Sequence, residues 1–213
     1  MNEKRTKKFL RAATYTQKSL SVILENISDT HNIGAIMRTC DSIGVRDMYI
    51  INTENSGLKE LITLGKRSSM GTRKWVNTHY FRSWSDLIAA VRVKHDIVLG
   101  TALLSGAKEL YSLDLTGNMA IVLGNEKDGL SSEALNHCDG LVAIPQVGMA
   151  ESLNVSVAAA IILYEAYRQR MLLGRYSDQP ELTQSEINQL FNNFKEKGED
   201  RNRDPKIYKI LPH

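Results

Sequence analysis

Short apolar runs recur along the first two-thirds of this chain, each followed by a polar loop and then by a helical spacing. Residues 20–24, 47–51, 97–100, 119–124 and 141–144 carry few polar interruptions. A strand open to water on one face alternates apolar with polar, whereas a near-continuous apolar run reads as a strand buried on both faces. Between these runs lies a helix over 33–43 with apolar residues at 33, 36, 37, 40 and 43. Residues 58–64, 85–93 and 131–136 also read as helical, and 75–81 as strand-like. That alternation predicts an α/β fold, a parallel sheet with helices on both faces. At 213 residues the chain can bury one sizeable core, with appendages.

The segment 144–164 narrows the reading further. Pro145 and Gly148 break regular structure, and residues 155–164 then carry no charge and are apolar on every side. Such a run predicts a buried helix, here extending over 152–173. Ser152 and Asn154 stand immediately before it, where a helix start leaves free backbone N–H groups. Ser152 is the simplest expected cap.

Charge divides the chain. Residues 1–18 hold Lys4, Arg5, Lys7, Lys8, Arg11 and Lys18 against Glu3 alone. Residues 19–174 are close to neutral, and the balance is even beyond 175. A helical basic arm over about 3–15 on a near-neutral body is the electrostatic footprint of a polyanion binder. Lys66, Arg67, Arg73 and Lys74 form a second small positive cluster. After Arg175, Thr183-Gln-Ser-Glu186 has the form of a capping box opening a helix to about Lys197. The weakly patterned tail from 198 reads as an arm lying on the body or on a partner chain. The expected division is therefore a basic arm (1–18), a body (19–174) and a C-terminal helical arm (175–213).

Cys40 and Cys138 have no C-x-x-C spacing and no clustered histidines beside them. That points to a reducing, cytoplasmic setting and away from structural metal. No apolar run reaches membrane-spanning length.

Three segments could carry chemistry, and each follows an apolar strand. The first, 26–40, places Asn32 at a helix start and Arg38 opposite the apolar stripe, where Asp41 at i+3 is its ordinary partner. The second, 121–131, has Gly124 and Gly129 at phosphate-loop spacing, but position 130 is Leu130. Without the lysine a nucleoside triphosphatase is excluded, and G-x-G-x-x-G is absent as well. The third is 144–156. Strand–loop–helix junctions are where open α/β sheets bind ligands. The groups assembled are amides, hydroxyls, one arginine and one glutamate, a set suited to a cofactor that brings its own reactive group.

In this order the three segments resemble the motifs of the SpoU (TrmH-like) RNA 2′-O-ribose methyltransferases of the SPOUT superfamily. The matching residues are Asn32, Ala35, Arg38 and Thr39; Leu123, Gly124, Asn125, Glu126, Gly129, Leu130 and Ser131; and Ile144, Pro145, Gly148 and the run from Ser152 to Ser156. The resemblance spans about 20–172. It implies S-adenosylmethionine as methyl donor, a C-terminal trefoil knot, which the general avoidance of knots would not suggest, and a homodimer. By resemblance Arg38 is the catalytic arginine, with Asn32, Glu126, Ser152 and Asn154 positioning the ribose and loops. Thr101, Gly124, Ile144 and Leu153 match the donor-binding positions. Short arms in place of an added N-terminal domain resemble the branch that methylates guanosine 18 in the D-loop of tRNA. Ribosomal RNA as substrate, or RNA binding without catalysis, are the alternatives; neither DNA nor a membrane is an expected partner.

Overall fold

The computed structural model describes residues 2–53, 71–125, 127–199 and 207–209. Its centre is an eight-stranded sheet in the order β5-β7-β4-β6-β1-β2-β3-β8, and every pairing is parallel. In chain order the strands are β1 (Leu20–Glu25), β2 (Asp47–Ile51), β3 (Asn77–Phe81), β4 (Ile97–Thr101), β5 (Lys108–Glu109), β6 (Met119–Leu123), β7 (Gly140–Ala143) and β8 (Ile207–Lys209). The helices are α1 (Glu3–Thr14), α2 (Thr30–Ser42), α3 (Trp84–Arg92), α4 (Ser132–His137), α5 (Val155–Leu172) and α6 (Gln184–Glu199).

β1 and β6 lie side by side at the centre, and all eleven of their residues are buried. Their side chains alternate between two cores, as the period of two requires. Leu20, Val22 and Leu24 pack with α2 and α5, while Ile23, Val122 and Ala120 pack with α3 and α4. The sheet is thus covered on both faces, as the apolar runs predict. Because all strands run the same way, β1, β4, β6 and β7 present their C-terminal ends, and the loops after them, along one edge.

A third cluster joins the two ends of the chain. Phe9 and Ala13 of α1 pack on Ile187 and Phe194 of α6. Trp75 completes the cluster, with ring centroids 5.3 Å from Phe9 and 5.6 Å from Phe194. Gly198 lets α6 approach closely: a Cβ there would meet the Phe9 ring at 2.7 Å. The predicted capping box is present, since the backbone N–H of Thr183 donates to Glu186 at 2.7 Å and that of Glu186 to Thr183 Oγ1 at 3.3 Å.

Several expectations need correcting. β5 and β8 carry no apolar run; they add backbone pairing at the two sheet edges, where burial of side chains is not required. The helix expected over 152–173 begins at Val155, capped by Asn154, whose Oδ1 accepts from Ser156 N at 2.9 Å. Ser152 is exposed and is not the cap. Nor is α5 buried all round, because Val157 and Tyr164 are 46% and 50% exposed. The expected helix over 58–64, together with Lys66 and Arg67, lies outside the described residues.

Candidate active site

The loop after β6 closes on itself. The N–H of Asn125 donates to Gly129 O at 3.0 Å and the N–H of Gly129 to Asn125 O at 2.9 Å, while Asn125 Oδ1 accepts from Lys127 N at 2.8 Å. Gly129 adopts φ +68°, and a Cβ on Gly124 would lie 2.4 Å from the Gly129 backbone. The glycines therefore serve the closure of this loop. Asn125 Nδ2 also donates to Asn26 O at 2.7 Å, tying the loop to the end of β1.

Loops after β4, β6 and β7 and the start of α5 enclose a cavity of about 410 Å³, within the range of about 300–1,000 Å³ usual for small-molecule sites. Thr101, Gly124, Ile144 and Leu153, drawn from four separate segments, all line it, and so does Ser152. Its floor is apolar, with Leu123, Val142 and Ile162 contributing, and Asp128 and Glu151 stand among its lining residues.

Beside this cavity the first and third motifs meet. Asn154 Nδ2 donates to Asn32 Oδ1 at 3.1 Å, and Asn32 is buried in the first turn of α2. Farther along, Ser42 Oγ and Tyr164 Oη lie 3.2 Å apart. The offset from Asn32 to Ser42 equals that from Asn154 to Tyr164, so α2 and α5 run side by side in the same direction. Arg38, between Asn32 and Ser42, is exposed and does not line the cavity. Its expected bond to Asp41 is not made. Asp41 is taken by Arg46, with Nη1 to Oδ1 at 2.5 Å, and Arg46 also reaches Thr16 Oγ1 and Ala12 O. Glu126 lies outside the described residues.

Both cysteines and three of the histidines are held by packing. Burial pushes the Cys40 thiol up to about 12 and the Cys138 thiol up to about 11, so neither is a thiolate near neutrality. His95 is buried between Ser21 Oγ and Asn118 Oδ1, at 2.7 and 2.8 Å, and burial lowers its pKa. His79 is bonded to Asp47 and His137 stacks on Trp84. Among the described residues no group of three or more His, Cys, Asp or Glu side chains is arranged to hold a metal ion. No helix there is long and apolar enough to cross a membrane.

A second concavity, of about 830 Å³, runs beside α1. Lys4, Lys8 and Arg11 supply positive charge to it, and Tyr15, Tyr167 and Tyr176 supply aromatic rings.

Residues 19–164 match the SpoU rRNA Methylase family. The chain belongs to the SpoU methylase family. Among its relatives, a tRNA (guanosine(18)-2'-O)-methyltransferase of Thermus thermophilus is 42% identical over 169 residues, or 78% of this chain and 82% of the relative. The solved Aquifex aeolicus TrmH/SpoU tRNA modifying enzyme superposes with a TM-score of 0.79 at 32% identity, covering 93% of this chain and 98% of that one. The SpoU methyltransferase AviRb from Streptomyces viridochromogenes, solved in complex with AdoMet, gives 0.64 at 29% identity, covering 71% and 57%. Within the family's matched span sequence reasoning missed Glu25, and it gave Asn26, the first residue of its first segment, no role. Their signal was a charge and an amide ending an otherwise apolar strand.

Proposed function

We propose that this protein transfers a methyl group from S-adenosylmethionine to the ribose 2′-hydroxyl of guanosine 18 in the D-loop of tRNA. One observation carries the reading: Thr101, Gly124, Ile144 and Leu153 converge on one cavity beside the Asn32–Asn154 bond, in a chain 42% identical to an enzyme of that name. The cavity suits the donor. Its apolar floor can take a purine, its loop backbones can read the purine's edge, and Asp128 and Glu151 complement a cationic sulfonium. When bound, the donor supplies an activated methyl group.

The protein's part is to hold the hydroxyl oxygen in line and balance charge as the proton leaves. Arg38 is the clamp in this reading. A guanidinium with a pKa above about 12 is a poor base, but its fork matches a phosphate. Its freedom from Asp41 supports that role. Asn32 and Asn154 fix one another, and with Ser152 and Glu126 they would orient the ribose. The basic groove beside α1 would take the RNA backbone, since phosphate contacts position rather than specify.

We further propose a homodimer. Val157, Ile161, Tyr164 and Met171 recur at helical spacing along α5, and three of them are exposed. A helix apolar all round needs a second apolar partner, and another copy of this stripe is self-complementary under two-fold symmetry. Arg38 lies on α2, the helix whose Ser42 meets Tyr164 of the stripe, so in this reading pairing would bring it towards the interface. Residues 19–174 form the catalytic body in this reading, with 1–18 and 175–213 as arms. We also read the C-terminal region as the family's trefoil knot. In support, β6 inserts between β4 and β1, β7 lies beyond β4, and the segments after both strands wall the same cavity. A tRNA substrate supports a cytoplasmic location.

The test is transfer of labelled methyl from S-adenosylmethionine to unmodified tRNA transcripts, with the modified nucleotide mapped. Label on the ribose of guanosine 18 is expected. Label on ribosomal RNA alone would move the substrate, and bound donor without transfer to either RNA would overturn the enzymatic reading.

A further inference from the structure

β1 ends in a buried carboxylate that no step above uses. Glu25 is 1% exposed and accepts three hydrogen bonds. Oε1 accepts from Trp84 Nε1 at 2.8 Å and from Ser131 Oγ at 2.6 Å, and Oε2 accepts from Ser131 N at 2.9 Å. Burial of a carboxylate is unfavourable unless donors meet it; here Trp84 meets it from the interior and Ser131 from the exposed start of α4. Bonds to an ionised acceptor are the stronger kind. Ser131 in turn caps α4, its Oγ accepting from Ala134 N at 3.1 Å.

The next residue holds the other end of the same loop. Asn26 O accepts from Asn125 Nδ2 at 2.7 Å, and Asn26 itself sits at φ +51°, an uncommon conformation for a side-chain-bearing residue. Its amide is fastened to Thr53, with Oδ1 accepting from Thr53 N at 3.0 Å. Two consecutive residues thus grip both ends of the loop from Asn125 to Ser131. Between those ends Lys127, Asp128, Gly129 and Leu130 wall the 410 Å³ cavity. Three residues beyond Asn26, Asp29 caps α2, the helix that carries Arg38.

We propose that Glu25 is a positioning residue for the donor site: through Ser131 it fixes the wall of the cavity against the strand from which the Arg38 helix is hung. This rests on the reading that the cavity takes S-adenosylmethionine. A glutamine at 25 keeps the shape but loses the charge, and its amide nitrogen must face at least one of the three donors now satisfied. The loop is then under-held where it meets the ligand, while the groove beside α1 contains no residue of this loop.

The experiment is titration calorimetry of S-adenosylmethionine against the wild type, Glu25→Gln, Ser131→Ala and the double variant, with tRNA affinity and melting temperature measured on each. Loss of a charge-assisted buried bond predicts donor Kd raised about tenfold or more in Glu25→Gln, with tRNA Kd within about twofold. The double variant should bind donor no worse than Glu25→Gln alone, because both changes break one link. Donor affinity unchanged in Glu25→Gln, or additive losses in the double variant, overturns the proposal. So does a parallel loss of donor affinity, tRNA affinity and melting temperature. If Glu25→Gln does not fold, Ser131→Ala decides: unchanged donor affinity there also overturns it. A wild-type protein that binds no donor refutes the assignment of the cavity instead, which is a separate result.

Discussion

Replacing Gly124 by alanine tests whether the closed 125–129 loop is what the donor binds. The added Cβ would lie 2.4 Å from both C and O of Gly129 and 2.6 Å from Leu130 N. All three are backbone atoms, so no side-chain rotation relieves the clash. Either the loop stays closed under strain, which for overpacking costs about 1–3 kcal/mol, or the Asn125–Gly129 bridge opens. Opening sacrifices two backbone hydrogen bonds of 3.0 and 2.9 Å, worth about 1 kcal/mol each. Both routes centre on about 2 kcal/mol. If the loss is felt globally, the melting temperature falls by about 4–8 °C. If the loop opens locally and must be rebuilt around the ligand, donor Kd rises roughly 30-fold. Calorimetry with S-adenosylmethionine and thermal melting on the same sample separate the two. Binding of tRNA should persist, because the basic groove takes no residue from this loop. A variant that binds donor within about threefold of wild type and melts within about one degree of it would refute the argument.

Arg38→Lys keeps the charge and loses the planar fork, so transfer to tRNA should fall by about tenfold or more with donor affinity unchanged; near-normal turnover would remove the phosphate clamp. Lys4, Lys8 and Arg11 line the α1 groove, and changing all three to alanine should weaken tRNA binding and flatten its logarithmic salt slope by about 2–3. An unchanged slope would put the RNA elsewhere. Glu181 anchors the segment that leads into α6: burial acts to raise its pKa, but hydrogen bonds from Ser19 and the charges of Arg170 and Arg175 hold it below the ordinary carboxylate value. Its stabilisation is therefore present above about pH 4.3 and is lost as pH falls through the depressed folded value. Glu181→Gln should lower stability at neutral pH and flatten its fall in acid; parallel wild-type and variant profiles would contradict this.

The strands that sequence reading placed best were the ones buried on both faces. β2 matches its expected bounds, and β1, β4 and β6 agree to within a residue, because a run of apolar residues with nothing polar to expose has few other places to go. β5 and β8 left no such mark. Asn154 took the capping role expected of Ser152, since both residue types cap equally well and the choice depends on where β7 delivers the chain. The motif residues were legible as a set, but their grouping was not. Thr101, Gly124, Ile144, Ser152 and Leu153 share a cavity, Asn32 and Asn154 share a bond, and Arg38 stands apart on exposed surface.

Periodicity and apolar runs determined the parallel sheet and its two helical layers, because those patterns report burial along a single element. They carry no information about which elements become neighbours. Helical spacing put Asp41 beside Arg38, yet the tertiary structure brings Arg46 to Asp41 from the far side of a turn and leaves Arg38 exposed without that partner. Glu25 drew no reading from the sequence; Trp84 and Ser131, 59 and 106 residues away, turn their donors on it. α5 read as buried throughout; packing against α2 covers only one side and leaves Val157 and Tyr164 in the open. Partner choice for a charge or an apolar stripe is a property of three-dimensional proximity, and only the fold supplies it.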